Sequence, residues 1–133
     1  MEKLSQRILD DGGTLVDFVG DEVFAMWGAP QPSGNHADAA CRCAMRMQQT
    51  VRELNQRWAD VLGDHMEVGI GIHSGIVSVG NTGSTQRFKY GPLGNTVNLG
   101  SRVQGASKYL RSNVLITRDT RRQISRDMAT RRL

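Results

Sequence analysis

The 133-residue chain has only two cysteines, Cys41 and Cys43, three prolines and 5% aromatic residues. Two cysteines set two positions apart in a helical pattern point in different directions. Neither a mutual disulfide nor a zinc site is expected, and a reduced, cytoplasmic compartment fits. The basic C-terminal tail has no aromatics interleaved with its bases as a nucleic-acid surface requires, and no helix-turn-helix pattern occurs. Much of the net charge of +4 comes from the tail RDTRRQISRDMATRR, Arg118 to Arg132, where acids are mixed among the bases. That tail reads as a solvated, partly helical surface, so no nucleic-acid partner is expected. No apolar run approaches the ~18 residues of a membrane span, and Met1 opens no secretory pattern. The glycine-rich stretches GIGIHSG and GNTGST are not followed by Gly-Lys-Ser/Thr and do not open a helix after a strand, which excludes a phosphate loop. Their glycines are expected to permit tight turns and close packing. His36, His65 and His73 fall at no metal-binding spacing, and His73 is expected to be a partly buried strand residue.

What remains is the composition of an ordinary folded domain, 38% apolar and 23% charged. A chain of this length buries roughly two-thirds of its unfolded surface and forms one domain without disulfide support. Residues 2–11 read as a helix carrying Leu4, Ile8 and Leu9 on one side and stopping at Gly12-Gly13. Two strand-like runs follow, Thr14–Val19 and Glu22–Trp27, then a loop, GAPQPSGNH. From Ala37 to Leu62 the residues Ala40, Ala44, Met47, Val51, Leu54, Trp58 and Val61 recur at helical spacing and predict one continuous buried stripe. Met66 to Asn81 predicts a second hairpin divided at Ser74-Gly75, and Arg87–Tyr90 a short strand. A helix over Asn95–Leu110 is expected to bury Leu99, Val103, Ala106 and Leu110. Asn113–Thr117 reads as a strand, with a last helix filling the tail. Two hairpins among helices predict an α+β or mixed α/β fold, not a Rossmann fold, with a mixed, mainly antiparallel sheet flanked by helices.

Two features carry chemistry. In VDFVGDEVFAMWG, Val16 to Gly28, two apolar runs meet at Gly20-Asp21-Glu22, a tight hairpin turn bearing two carboxylates where the strands themselves want burial. In GNTVNLGSRV, Asn98 and Arg102 are four apart and project from one helix face, beside the predicted core stripe. There an amide and a guanidinium can reach an anionic ligand together.

The segments FVGDEVFAMWGAP, VGIGIHSG and YGPLGNTVNLGSRVQ, in this order, resemble the catalytic domain of the class III nucleotidyl cyclases, the bacterial adenylate cyclase type in particular. The resemblance runs from about Gly12 to Thr117. It implies a ferredoxin-like domain, here lacking its first strand, that pairs head-to-tail with a second copy as a homodimer. It also implies formation of a 3′,5′-cyclic nucleotide and pyrophosphate from a nucleoside triphosphate with two magnesium or manganese ions. Asp21 matches a metal-binding aspartate, a hard oxygen ligand suited to magnesium. Asn98 and Arg102 match the asparagine and arginine that orient the ribose and stabilise charge on the α-phosphate, acting on substrate held by the partner chain. Asp17 and Gly91 match the two base-reading positions. Strand alternation sets Asp17 opposite Val16 and Phe18, where it can line the site, whereas Gly91 offers no side chain.

Family frequency favours ATP, but an acid at position 17 accepts from guanine as well as from adenine. A guanylate cyclase and a non-catalytic dimerisation or nucleotide-binding regulatory module therefore remain alternatives. The family's other metal-binding aspartate lies well upstream of the hairpin, and its phosphate-binding lysine lies beyond residue 133. On this reading, residues 1–133 form a single partial catalytic domain, with one metal ligand of two and no cyclase activity by itself.

Overall fold

The computed structural model describes residues 2–29, 32–63, 65–81 and 90–133. The chain opens with helix α1, Glu2–Asp10, which buries Leu4 and Ile8 while Leu9 stays exposed. Gly12, at φ +80, ends it in a left-handed cap. Gly13 N–H donates to the Ile8 carbonyl and Gly12 N–H to that of Leu9, the paired bonds that satisfy a helix's last carbonyls. Gly13 is needed for space as well, because a β-carbon there would strike the Trp27 ring and Ile8. The Trp27 indole N–H then donates to the Asp11 carbonyl at 3.0 Å and fixes how the chain leaves the helix.

Strands β1, Thr14–Val19, and β2, Glu22–Met26, form the expected antiparallel hairpin. Its turn has Gly20 at φ +61 and Asp21 at negative φ, the two-residue geometry that matches strand twist. The register slips once. Leu15 faces Ala25, but Asp17 faces Phe24, leaving Val16 as the extra residue of a bulge.

Helix α2, His36–Leu62, runs about 40 Å. Its first turns bury Ala37, Ala40, Cys41, Cys43, Ala44 and Val51, with α1 packed alongside. The predicted stripe does not continue to its end, for Trp58 is 47% and Val61 72% exposed. Polar side chains explain where it stops. Gln48 donates to the Val68 carbonyl at 2.7 Å, while Asn55 bonds both the N–H and the carbonyl of Met66 at 2.8 and 2.9 Å. Two amide side chains thus tie the returning chain to α2.

The predicted second hairpin is not formed. Strand β3, Ile70–Ile72, pairs in parallel with β6, Val114–Ile116, whereas β4, Ser78–Asn81, pairs antiparallel with β5, Tyr90–Leu93. Residues 73–77 form no ladder; their polar side chains and backbone bond elsewhere. The strand expected at Arg87–Tyr90 is found at Tyr90–Leu93, and 87–89 lie outside the described residues. The described sheets are three two-stranded ladders, two antiparallel and one parallel, so the fold is α+β with helices against small sheets.

Helix α3, Asn95–Leu110, lies on β3. It does so by a face rotated from the one predicted, which shares Val103 with it: Leu99 is 40% and Leu110 50% exposed, and no α3 residue is fully buried. The contacting residues are Thr96, Gly100, Val103, Gln104 and Ser107, set over Gly75, His73, Gly71 and Gly69. A β-carbon at Gly71 would collide with the Val103–Gln104 backbone, so the helix rides directly on the strand. The tail helix is short too. Helix α4 covers only Arg118–Arg121, and no helix forms beyond it. Ser125 N–H ties the tail to Asp38 in the first turn of α2 at 2.7 Å.

Candidate functional site

Three elements adjoin where the sequence places its chemistry: β1 lies against β5, and β5 against α3. Asp21 stands at the tip of the β1–β2 hairpin, fully outside the core, and Glu22 beside it opens β2 opposite Val19. Asn98 and Arg102 lie one turn apart on α3, both exposed, on a side away from the glycine-lined contact with β3. Among the described residues, no hydrogen bond or ion pair consumes the side chains of Asp21, Asn98 or Arg102. None joins them to one another.

Gly91 sits in β5 opposite Gly80 of β4. Asp17 is half-buried in β1, and its Oδ1 accepts from the Phe18 N–H at 2.9 Å. The bulge at Val16 changes the ground for its placement. Val16 and Asp17 are both half-buried, whereas Phe18 and Val19 are both exposed, so simple alternation does not describe this strand. The structure nevertheless sets β1 against β5, so Asp17 and Gly91 belong to touching strands.

A divalent cation prefers several oxygen ligands. Asp21 has the donor chemistry and the exposure for one of them, but no group of three His, Cys, Asp or Glu side chains gathers among the described residues. One ligand fits; a full cage is not assembled from these residues alone.

Sequence reasoning overlooked the residues that seat α3. His73 Nδ1 is 2.8 Å from Thr117 Oγ1, Ser74 Oγ is 2.9 Å from Thr120 Oγ1, and Thr96 Oγ1 donates to the Ile76 carbonyl at 2.8 Å. The signal was present as two periodicities read separately. Gly69, Gly71, His73 and Gly75 alternate by two, while Thr96, Gly100, Val103 and Ser107 step by four and three. A strand face made mostly of glycine and a helix face made mostly of small residues are complementary.

The model of the adenylate and guanylate cyclase catalytic domain matches residues 2–131. Adenylate cyclase 1 of Rhizobium meliloti is 36% identical over 111 residues, which cover 84% of this chain and 17% of that protein. The adenylate cyclase of Anabaena cylindrica is 33% identical over 124 residues, 90% of this chain and 24% of its own length. Among solved structures, the adenylyl cyclase CyaB from P. aeruginosa superposes with a TM-score of 0.80 at 32% identity, covering 92% of this chain and 63% of that one. A solved guanylyl cyclase gives 0.81 at 35% identity, covering 93% and 62%. The chain thus spans less than a quarter of these two adenylate cyclases and under two-thirds of these two solved chains.

Proposed function

The chain belongs to the adenylate and guanylate cyclase catalytic domain family, and on that premise we propose that it is the part of an adenylate cyclase carrying the ribose- and phosphate-directed side chains. The reaction joins the ribose 3′-oxygen to the α-phosphorus of ATP. The bond from that phosphorus to the bridging oxygen breaks, pyrophosphate departs and the hydroxyl proton is lost. The observation that carries this reading is the set Asp21, Asn98 and Arg102, each exposed on an element that adjoins β5 or belongs to its neighbour.

Arg102 presents a permanently charged fork of donors, suited to the charge that builds on the α-phosphate oxygens in the transition state. Asn98, one turn earlier, offers an amide that can donate to and accept from the ribose. Asp21 would hold a divalent cation, magnesium or manganese, whose chemistry is to polarise phosphate oxygens and favour the alkoxide. Asp17 and the bare backbone of Gly91 face the base from adjoining strands, Asp17 accepting from the exocyclic amino group. An acid accepts equally well from guanine. The similarity to a guanylyl cyclase at 35% identity makes GTP the second reading.

The working unit is a homodimer in which Asn98 and Arg102 of one copy serve substrate held by the hairpin of the other. It works in the cytoplasm, where both buried thiols stay reduced. No described helix is long and apolar enough to cross a membrane.

Arg102→Ala in the full-length protein tests the proposal. The arginine is exposed, so Tm should hold. Loss of one charge-stabilising donor should lower kcat by about 10²–10³-fold. Running the assay with ATP and GTP in parallel identifies the base. Unchanged turnover, or a collapse in stability, would remove Arg102 from the chemistry.

A further inference from the structure

A helix that carries two reacting side chains must be fixed both along and about its axis, and among the described residues α3 has no side-chain cap at its start. Gly94, at the N-cap with φ +115, provides no side-chain cap. A tertiary tie instead fastens the first turn to a neighbouring segment. Thr96 Oγ1 donates to the Ile76 carbonyl at 2.8 Å. A β-carbon at Gly75 would stand only 3.0 Å from that Oγ1 and 3.1 Å from Cγ2, so the threonine is seated on bare backbone while bonded to the following residue. Ile76 contributes only its carbonyl, its side chain being 97% exposed.

The seat itself is anchored from the opposite side. His73 and Ser74 pair with Thr117 and the fully buried Thr120, and the Thr117 N–H donates to the Ile72 carbonyl at 3.1 Å. Residues 73–76 are thus held to the β6–α4 junction and offer one fixed acceptor to the first turn of α3. Asn98 follows Thr96 by two residues, and Arg102 by six.

We propose that Thr96 is a positioning residue of the reaction: its bond to the Ile76 carbonyl, over the Gly75 seat, sets where α3 presents Asn98 and Arg102. The proposal rests on the reading that those two side chains act on the nucleotide. Thr96 itself touches no substrate; it works through the rotation and axial position of the helix.

The test compares Thr96→Val, Thr96→Ser, Gly75→Ala and Arg102→Ala in the full-length protein, with kcat and KM measured separately. Valine keeps the shape and removes the hydroxyl. A small displacement of a catalytic group is costly, so Thr96→Val should lower kcat by about ten- to a hundredfold, with KM changed by less than about threefold. Serine, which keeps the donor, should restore kcat to within about threefold of the parent. Gly75→Ala, which intrudes on the seat without touching Thr96 chemically, should reproduce the valine phenotype. Thr96→Val should also add little to Arg102→Ala in the double variant, because both act through one group.

The two ideas fail differently. Full activity in Arg102→Ala rejects the reading of the helix face. An impaired Arg102→Ala beside a Thr96→Val of parental kcat rejects the positioning role, as does a Thr96→Val that only lowers Tm. If Thr96→Val yields no folded protein, full kcat in Gly75→Ala overturns the proposal instead.

Discussion

Cys43 is 0% exposed, and its thiol lies in the field of the Asp11 carboxylate. Burial first, and Asp11 second, push that thiol up to about 12 against the pull of Arg46 and Arg7. The unfolded chain ionises it near 9.0. The folded state therefore holds the proton longer, and the stability this provides is complete below 9 and declines as pH rises from 9 toward about 12. Comparing urea midpoints at about pH 8 and about pH 10.5, the parent should lose more stability than Cys43→Ala, by at most about 1.4 kcal/mol per pH unit. Equal losses would show that Cys43 ionises as freely in the folded protein as outside it. The spacing of Cys41 and Cys43 set the expectation of no metal or disulfide role, but did not reveal that Asp11, 32 positions away, would act on one of them. Asp17 teaches the same lesson. Its residue type was legible, but its orientation depended on a one-residue bulge that no local pattern announces.

At the scale of elements, the contact between β3 and α3 is decided by absent side chains. Gly71 has the Val103–Gln104 backbone where a β-carbon would go. Backbone cannot give way as a flexible side chain can, so Gly71→Ala must push helix from strand. A cost of about 1–3 kcal/mol is expected from overpacking of this kind, seen as a Tm lowered by several degrees in thermal denaturation. Because α3 carries Asn98 and Arg102, kcat should fall as well. A stable, fully active Gly71→Ala would mean that the helix does not ride on β3 as described. The hydrophobic stripe of α3 was the wrong guide here. Leu99 and Leu110 sit at core spacing yet remain half-exposed, because close approach was available on the glycine side and needs small residues, not large ones.

At the scale of the whole molecule, the proposed homodimer divides each site between two copies. Asp21 comes from one, and Asn98 and Arg102 from the other. This arrangement makes a specific demand on mixtures. In the full-length protein, Asp21→Ala and Arg102→Ala should each retain at most about a hundredth of parental turnover alone. Random pairing in a 1:1 mixture makes about half of the dimers mixed, and each mixed dimer has one intact site and one doubly damaged site, so about a quarter of parental turnover should return. The cyclic nucleotide yield of the mixture, measured against each variant alone, decides it. No recovery would place all three residues on one chain's site.

The sequence by itself determined the pieces. It contained α1 with its glycine stop, the hairpin with its Gly20-Asp21 turn, the start and length of α2, and the helix face of Asn98 and Arg102. Each of these depends on neighbours within a few residues, through backbone dihedral limits and helical or strand periodicity. Its three motifs also fixed the family, since a site's chemistry is written in residue types and their order. The tertiary structure alone decided the partners. The parallel pairing of β3 with β6 joins residues 44 positions apart in register, Ile70 with Val114 and Ile72 with Ile116. The burial of α2 stops where Gln48 and Asn55 seize the returning chain, and Thr96 finds its acceptor on Ile76. Such choices are made by whichever surface comes close enough to exclude water or complete a hydrogen bond, and a linear pattern carries no record of that distance.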